Sequence, residues 1–154
     1  MGSLSTNYSL YSIPAMVLVS YYPTAVKGAI MTNLGIYNNV VPRGNLPKLQ
    51  AKPNPKVSPE LAAKLARCEG AHYNGLENLP FFGLSILASN YVGLKPEVLN
   101  VAAGLYIALR VLYNYIYINN TKVSTSFVRT LVWNIGIAIP FYLSIKAAAN
   151  VPTR

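Results

Sequence analysis

The sequence has few charges, one cysteine and one histidine. Charged residues make up 11% of its 154 residues, against about 25% in a typical soluble domain. So little charge cannot cover a water-facing surface, which predicts a lipid bilayer environment; the alternative is a small soluble helical protein with a very apolar core. Cys68 has no second cysteine for an internal disulfide, and with a single histidine it makes no metal cluster, so no metal site is expected.

The charge that is present is mostly positive, with 13 Lys and Arg against 4 acidic residues. The basic residues are spread along the chain without any DNA- or RNA-binding motif, so no nucleic-acid partner is expected. Hydropathy instead gives four apolar segments, with helices predicted at about residues 8–37, 59–92, 97–118 and 127–149. Each is near the ~20 residues that cross ~30 Å of hydrocarbon. The sequence therefore predicts an all-α, multi-pass integral membrane protein, with a four-helix bundle in one domain over residues 1–154.

The loops between these segments predict the orientation in the membrane. The first loop, from Val41 to Pro59, contains five prolines and is predicted to be non-helical. Basic residues of short loops favour the cytoplasmic side. Four of them lie in the first loop and Lys122 lies in the third, whereas the second loop has only Lys95. We therefore expect the first and third loops to be cytoplasmic.

Polar side chains of three segments fall at one predicted depth, toward the cytoplasmic side. They are His72, Asn74 and Glu77 in the second segment, Arg110, Tyr113 and Tyr117 in the third, and Arg129 in the fourth. Charges in membrane helices are costly and usually face a bundle interior or a wet cavity, so this polar cluster indicates a functional site. Arginine pairs with carboxylates and glutamate with ammonium groups, so a ligand that carries both groups is predicted.

Simpler interpretations stay open for the individual residues. Glu77 and Arg110 can form an ion pair that only fixes helix packing. His72 can be a solvated or hydrogen-bonded histidine, and Tyr113 and Tyr117 can be interfacial belt residues. All of these residues fall at one end of the segments, and this coincidence favours a functional site.

Three stretches resemble one known family: "RCEGAHYNGLENLPFF" from Arg67, "RVLYNYIY" from Arg110 and "VRTLVWNIG" from Val128. This is the MAPEG family, the membrane-associated proteins in eicosanoid and glutathione metabolism, which includes microsomal glutathione transferases and microsomal prostaglandin E synthase. The variant here is closer to the bacterial and fungal branch. The resemblance implies four transmembrane helices per subunit, a homotrimer, and glutathione bound between subunits near the cytoplasmic side. It also implies a lipophilic substrate that enters from the bilayer and, in a eukaryote, location in the endoplasmic reticulum or another internal membrane.

The resemblance also implies roles for the polar cluster. The glutathione-binding residues would be His72, Asn74, Glu77, Arg110, Tyr113, Tyr117 and Arg129. Among them, Asn74 and Glu77 would contact the peptide backbone, and Arg110 with the two tyrosines would hold the carboxylates. Arg129 and Tyr117 would be catalytic, Arg129 by lowering the pKa of the thiol through its fixed positive charge.

Two positions depart from the family pattern. Gly70 stands where glutathione-using members carry an arginine. These members also carry a basic residue near the end of the first helix, where this chain has no charge after Lys27. Each lost hydrogen bond to a carboxylate is worth about 1.5–3 kcal/mol. Beside a glutathione-dependent transferase, peroxidase or isomerase, two alternatives therefore stand. One is a non-catalytic binder of lipophilic ligands or membrane scaffold; the other is a glutathione-independent isomerase or cyclase that uses Tyr117, Glu77 or His72 for proton transfer.

Overall fold

The computed structural model describes residues 6–151, and every regular element in that range is helical. The five α-helices are α1 (Ser12–Asn33), α2 (Asn45–Ala51), α3 (Pro59–Tyr91), α4 (Pro96–Asn119) and α5 (Val123–Ala149). Single 3₁₀ turns at Ser9–Tyr11 and Pro42–Gly44 precede α1 and α2. The all-α class is confirmed for the described residues; the two ends of the predicted domain, residues 1–5 and 152–154, lie outside them.

Helix α3 begins at a capping sequence. Ser58 Oγ accepts a hydrogen bond from the amide of Leu61 at 3.2 Å, and Pro59 follows at the first helical position. The Glu60 backbone amide and the Ser58 hydroxyl hold the pKa of the Glu60 carboxyl below its ordinary value. The resulting negative charge lies at the positive end of the helix dipole, which stabilises the first turn.

Helix α1 is shorter than the first predicted helix, residues 8–37. It ends at Asn33 because Gly35 takes a φ of +68°, and the Gly35 amide bonds back to the carbonyl of Thr32 at 2.9 Å. Glycine adopts this left-handed conformation without the steric cost of a side chain. The tyrosine and the apolar residues that follow therefore belong to the connection and not to the helix.

The proline-rich first loop is predicted to be non-helical, and this is wrong for α2. Pro47 lies in the first turn of α2. Backbone amides there have no helical partner in any case, so the missing N–H costs no hydrogen bond. Asn45 fixes the entry to the helix, because its Nδ2 donates to the carbonyls of Asn38 and Pro42, both at 3.0 Å.

A buried cluster includes side chains from all four long helices. Phe82 of α3 stacks on Tyr106 of α4 with ring centroids 3.9 Å apart. Met16 of α1 and Leu143 of α5 complete the cluster, and both are fully buried. One apolar core therefore fixes α1, α3, α4 and α5 relative to one another.

Polar bonds between helices concentrate where Pro23 interrupts α1. Proline has no N–H, so the carbonyl of Val19, four residues earlier, lacks its helical donor. Asn114 of α4 takes that place, with Nδ2 2.8 Å from the Val19 oxygen. The next carbonyl, that of Ser20, lies 2.8 Å from His72 Nδ1 of α3. The proline thus provides the acceptor through which α4 binds to the middle of α1, and α3 binds at the adjacent residue.

Helices α1 and α3 are in close contact at Gly75. A Cβ atom at this position would lie 2.9 Å from the Cα and 2.8 Å from the Oγ of Ser20. We expect Gly75→Ala to destabilise the protein by about 1–3 kcal/mol, because the backbone of α1 has to shift. Thermal unfolding followed by circular dichroism in detergent measures the change. Gly104→Ala is the matched control, since a Cβ there meets nothing within 4 Å, and it should leave stability unchanged or slightly higher.

Two helices in the described range are long and apolar enough to cross a bilayer, α4 with 24 residues and α5 with 27. Helix α3 has 33 residues, but five charged residues lie between positions 60 and 77: Glu60, Lys64, Arg67, Glu69 and Glu77. The spans predicted in α1 and α3 therefore stay predictions.

Candidate functional site

A cavity of about 460 Å³ lies between α3, α4 and α5. It is lined by Gly70, Tyr73, Asn74, Glu77, Tyr113, Tyr117, Arg129, Thr130 and Trp133. Five of these residues belong to the polar cluster predicted from the sequence, and they come from three different helices. The structure therefore brings Asn74, Glu77, Tyr113, Tyr117 and Arg129 to one place, which we call the α3–α5 cavity.

Arg110 lies behind the cavity wall rather than in it. Its side chain is buried, and Nη2 donates to Asn74 Oδ1 at 2.8 Å. Its guanidinium carbon also lies 4.6 Å from the centroid of the Tyr113 ring. A guanidinium only donates, so the Asn74 atom it meets is the oxygen, and Nδ2 is left to donate toward the cavity. Arg110 thus orients Asn74 and Tyr113.

Tyr117 holds the second arginine of the cluster. The guanidinium carbon of Arg129 lies 4.6 Å from the Tyr117 ring centroid, and the Tyr113 ring meets Tyr117 edge-on at 5.5 Å. A cation over an aromatic face is held by the ring quadrupole, typically by about 0.5–2 kcal/mol. The sequence of contacts Arg110, Tyr113, Tyr117, Arg129 therefore connects α4 to the first turns of α5 and fixes a positive charge at the cavity.

Glu77 supplies the opposite charge. Its side chain is exposed at the cavity, and the ion pair found among the described residues joins Lys27 and Glu69 instead. The alternative interpretation, a packing ion pair between Glu77 and Arg110, is therefore not what the structure has. Glu77 has its carboxylate available for a cationic group of a ligand.

Besides Arg110, His72 is a predicted site residue that lies outside the α3–α5 cavity. It lines a separate cavity of about 200 Å³ on the α1 side of α3, together with Lys27 and Glu69. Two residues correspond to about 200° around a helix, so His72 and Asn74 face nearly opposite directions. The bond to the Ser20 carbonyl makes Nδ1 the protonated nitrogen. His72 is thus a hydrogen-bonded histidine, the simpler of its two interpretations.

Trp133 is a cavity residue that the sequence argument missed. Its Nε1 is buried and, within the described part of the chain, has no hydrogen-bond partner. An indole nitrogen only donates, so Trp133 lines the cavity while its N–H is a buried donor without an acceptor in that range. The available signal was spacing, because Trp133 follows Arg129 by four residues and therefore shares its helix face.

Gly70 lies directly under Tyr117. A Cβ at position 70 would lie 2.6 Å from Tyr117 Oη and 3.1 Å from Cζ. The tyrosine hydroxyl thus occupies the space that a side chain at position 70 needs. The Tyr117 ring can keep its position only while residue 70 has no side chain.

A comparison with known families agrees with the motifs. The model of the MAPEG family matches residues 7–149, nearly the whole chain. The chain belongs to the MAPEG family. No curated protein and no solved structure matches it.

Membership supplies context that the geometry alone lacks. The MAPEG family is membrane-associated and is connected with glutathione and eicosanoid metabolism. The two apolar helices α4 and α5 fit that environment. In this MAPEG protein the α3–α5 cavity lies between these two helices and the polar half of α3.

The dependence between Gly70 and Tyr117 is testable in this MAPEG protein. We expect Gly70→Ala to move the Tyr117 ring while it changes the unfolding free energy by less than about 1 kcal/mol, because the clashing atom is the end of a flexible side chain. Fluorine NMR of the chain labelled with fluorotyrosine measures the shift of the Tyr117 resonance. Gly70→Ala combined with Tyr117→Phe should disturb the ring at position 117 less, because the closest atom, the hydroxyl oxygen, is then absent. An unchanged resonance would contradict the close contact.

Proposed function

We propose that this MAPEG protein is a membrane enzyme that binds glutathione in the α3–α5 cavity and acts on a lipophilic substrate as a transferase, peroxidase or isomerase. The observation that carries the proposal is one cavity that combines the guanidinium of Arg129, the carboxylate of Glu77 and the side-chain amide of Asn74. Family membership supports glutathione as the cosubstrate.

The groups of the cavity fit those of glutathione. The tripeptide has two carboxylates, one ammonium group and amide oxygens. Glu77 suits the ammonium group, while Arg129 and Asn74 Nδ2 are donors for the carboxylate and amide oxygens. A volume of about 460 Å³ lies in the ordinary range of ligand sites, ~300–1,000 Å³.

The proposed chemistry divides between the ligand and the chain. Bound glutathione supplies the thiol, whose thiolate is the nucleophile. The positive charge of the Arg129 guanidinium favours the thiolate. Tyr117 presents its hydroxyl in the same cavity and can donate a hydrogen bond to negative charge that develops there. Arg110 acts through Asn74 and Tyr113, so we assign it a positioning role.

We also propose four membrane spans and a homotrimer of the kind the family resemblance implies, closer to the bacterial and fungal branch. In a eukaryotic cell the proposed location is the endoplasmic reticulum or another internal membrane. The excess of basic residues in the first and third loops supports a cytoplasmic position for the α3–α5 cavity.

Calorimetric titration of the detergent-solubilised full chain with glutathione tests the proposal. Glu77→Gln should weaken binding by about 10- to 100-fold, because it removes the charged partner of the ammonium group. Absence of heat at millimolar glutathione with the unchanged chain would overturn the proposal.

One observation favours a second candidate, a non-catalytic binder of lipophilic ligands. Tyr117 Oη fills the space at Gly70, so this chain has no arginine where glutathione-using relatives carry one. A conjugation assay distinguishes the two functions. A glutathione conjugate that forms with a generic electrophile, and is lost in Arg129→Ala, supports the enzyme; binding without any conjugate supports the second candidate.

A further inference from the structure

A cavity of about 450 Å³ lies between the end of α1, the helix α2 and the connection that follows it. Lys48 and Lys52 line this cavity, and both residues are exposed. They are four residues apart, so one turn of helix brings their two positive charges to the same side. We call this space the α2 cavity; it shares no lining residue with the α3–α5 cavity.

The two lysines of the α2 cavity have no acidic residue to balance them. The first acidic residue of the whole chain is Glu60, which follows the four basic residues of the first loop. Among residues 6–151, neither the Lys48 nor the Lys52 side chain has an ion pair or a hydrogen bond. Lys56, by contrast, donates from Nζ to the Leu34 carbonyl at 3.3 Å. Like charges one turn apart repel each other, so the α2 cavity is complementary to an anion that meets both lysines.

Two asparagines that line the α2 cavity fix its walls. Asn45 is buried, and its Oδ1 accepts a hydrogen bond from the Asn38 amide at 2.8 Å. Asn54 Oδ1 accepts one from the Lys56 amide at 2.9 Å. The backbone on both sides of the cavity is thus held by side-chain bonds, so the two lysines project from an ordered frame.

The contacts of α2 place the cavity at the depth of lipid headgroups. The bond from Arg67 Nε to the Ile118 carbonyl, 3.0 Å long, sets α3 and α4 at equal height near the end of α4. Leu46 and Leu49 of α2 cluster with Leu65, two residues before Arg67 on α3, which lies about 3 Å further out at 1.5 Å per residue. Helix α4 is long and apolar enough to cross a bilayer. Headgroups extend about 5–8 Å beyond the hydrocarbon on each side, so α2 lies beside them.

We propose that the α2 cavity binds the headgroup of an anionic membrane lipid that ends in a phosphomonoester, of which phosphatidic acid is the simplest. A phosphomonoester carries about −1.5 to −2 charges at pH 7, which matches the pair Lys48 and Lys52. The single charge of a phosphodiester headgroup matches only one of them. The site is independent of glutathione and of the α3–α5 cavity.

A lipid fits the α2 cavity better than a free phosphate, because apolar side chains accompany the lysines. Ile36 lines the cavity beside them. Val40 and Val41, which follow the cavity residue Asn38, are 89% and 56% exposed. Exposed apolar residues next to basic ones are typical of a surface that lies in the membrane interface. The predicted cytoplasmic side of the first loop is also the side on which anionic lipids concentrate.

Native mass spectrometry of the detergent-solubilised full chain tests this with phosphatidic acid and phosphatidylglycerol that have the same acyl chains. Phosphatidic acid should bind about fivefold more tightly, because its second charge engages the second lysine. Lys48→Gln combined with Lys52→Gln should weaken phosphatidic acid by about 20- to 30-fold and make the two lipids equal. Lys95→Gln combined with Lys122→Gln is the matched control, since it removes the same charge outside the α2 cavity, and it should keep the preference.

The variant of Lys48 and Lys52 should also keep the fold and the glutathione affinity of the unchanged chain, because both lysines are exposed and lie outside the α3–α5 cavity. This separates the lipid site from the proposed function. Equal binding of the two lipids by the unchanged chain, or a preference that persists in the variant, would overturn the proposal. Displacement of phosphatidic acid by millimolar inorganic phosphate would instead identify a site for free phosphate. Displacement by polyglutamate would identify an acidic protein partner, and either result would also overturn it.

Discussion

Arg129→Ala should lower the rate of glutathione-dependent turnover by about 100- to 1,000-fold, the usual loss when one preorganised charge-stabilising group is removed. In the α3–α5 cavity Arg129 is the guanidinium that lines the wall, because Arg110 is buried behind Asn74. The Tyr117 ring holds the Arg129 guanidinium carbon at 4.6 Å from its centroid. Without this charge a bound thiol loses the group that favours its ionised form.

The dependence of the rate on pH distinguishes this role from a structural one. A positive charge near the thiol lowers its pKa, so the thiolate persists to lower pH in the unchanged protein. The loss in Arg129→Ala should therefore be largest at low pH and shrink as pH rises. Arg129→Lys keeps a charge and should recover part of the rate. Lys122→Ala removes an exposed charge outside the cavity and is the control. An equal loss at all pH values would contradict thiolate stabilisation.

The sequence was sufficient to predict which side chains lie together when they belong to one helix. Arg110, Tyr113 and Tyr117 follow a three-four step, and helical geometry alone places such residues on one face. The structure has them in contact in that order. The start of α3 at Ser58 and Pro59 was also predictable, because a helix cap depends only on the local sequence. The end of α1 could not be predicted, because apolar residues continue beyond Gly35 and the hydropathy pattern does not show where the helix ends.

Side-chain contacts between helices could not be predicted from the sequence, because they depend on how each helix is rotated about its axis. His72 is close in sequence to Asn74, yet it faces α1 and bonds to Ser20. The same rotation places Glu69 against Lys27, a pairing 42 residues apart that no local pattern predicts. Gly70 shows the same limit: the sequence marks a missing arginine, but only the fold shows that Tyr117 fills its space.

Glu69→Gln should destabilise the protein by about 3–5 kcal/mol, the usual cost of leaving one member of a buried ion pair without its partner. The Lys27 and Glu69 side chains are 8% and 13% exposed, so water from the small cavity beside them replaces the lost carboxylate only in part. The amide keeps the shape of the glutamate and can still accept the hydrogen bond that Tyr73 donates to Glu69 Oε1. The effect therefore isolates the charge that joins α1 to α3. Thermal unfolding in detergent, compared with Gly75→Ala at the same helix contact, measures it.

The double variant Lys27→Met with Glu69→Gln decides what the pair contributes. Removing both charges removes the desolvation cost along with the attraction, so stability should return to within about 1–2 kcal/mol of the unchanged protein. Lys27→Met alone leaves a carboxylate unpaired and should be destabilised like Glu69→Gln. Additive losses in the double variant would show that the two groups act separately and would contradict the ion pair. A double variant that is stable but no longer binds glutathione would show that the pair also shapes the site, through Tyr73, which lines the cavities on both sides of α3.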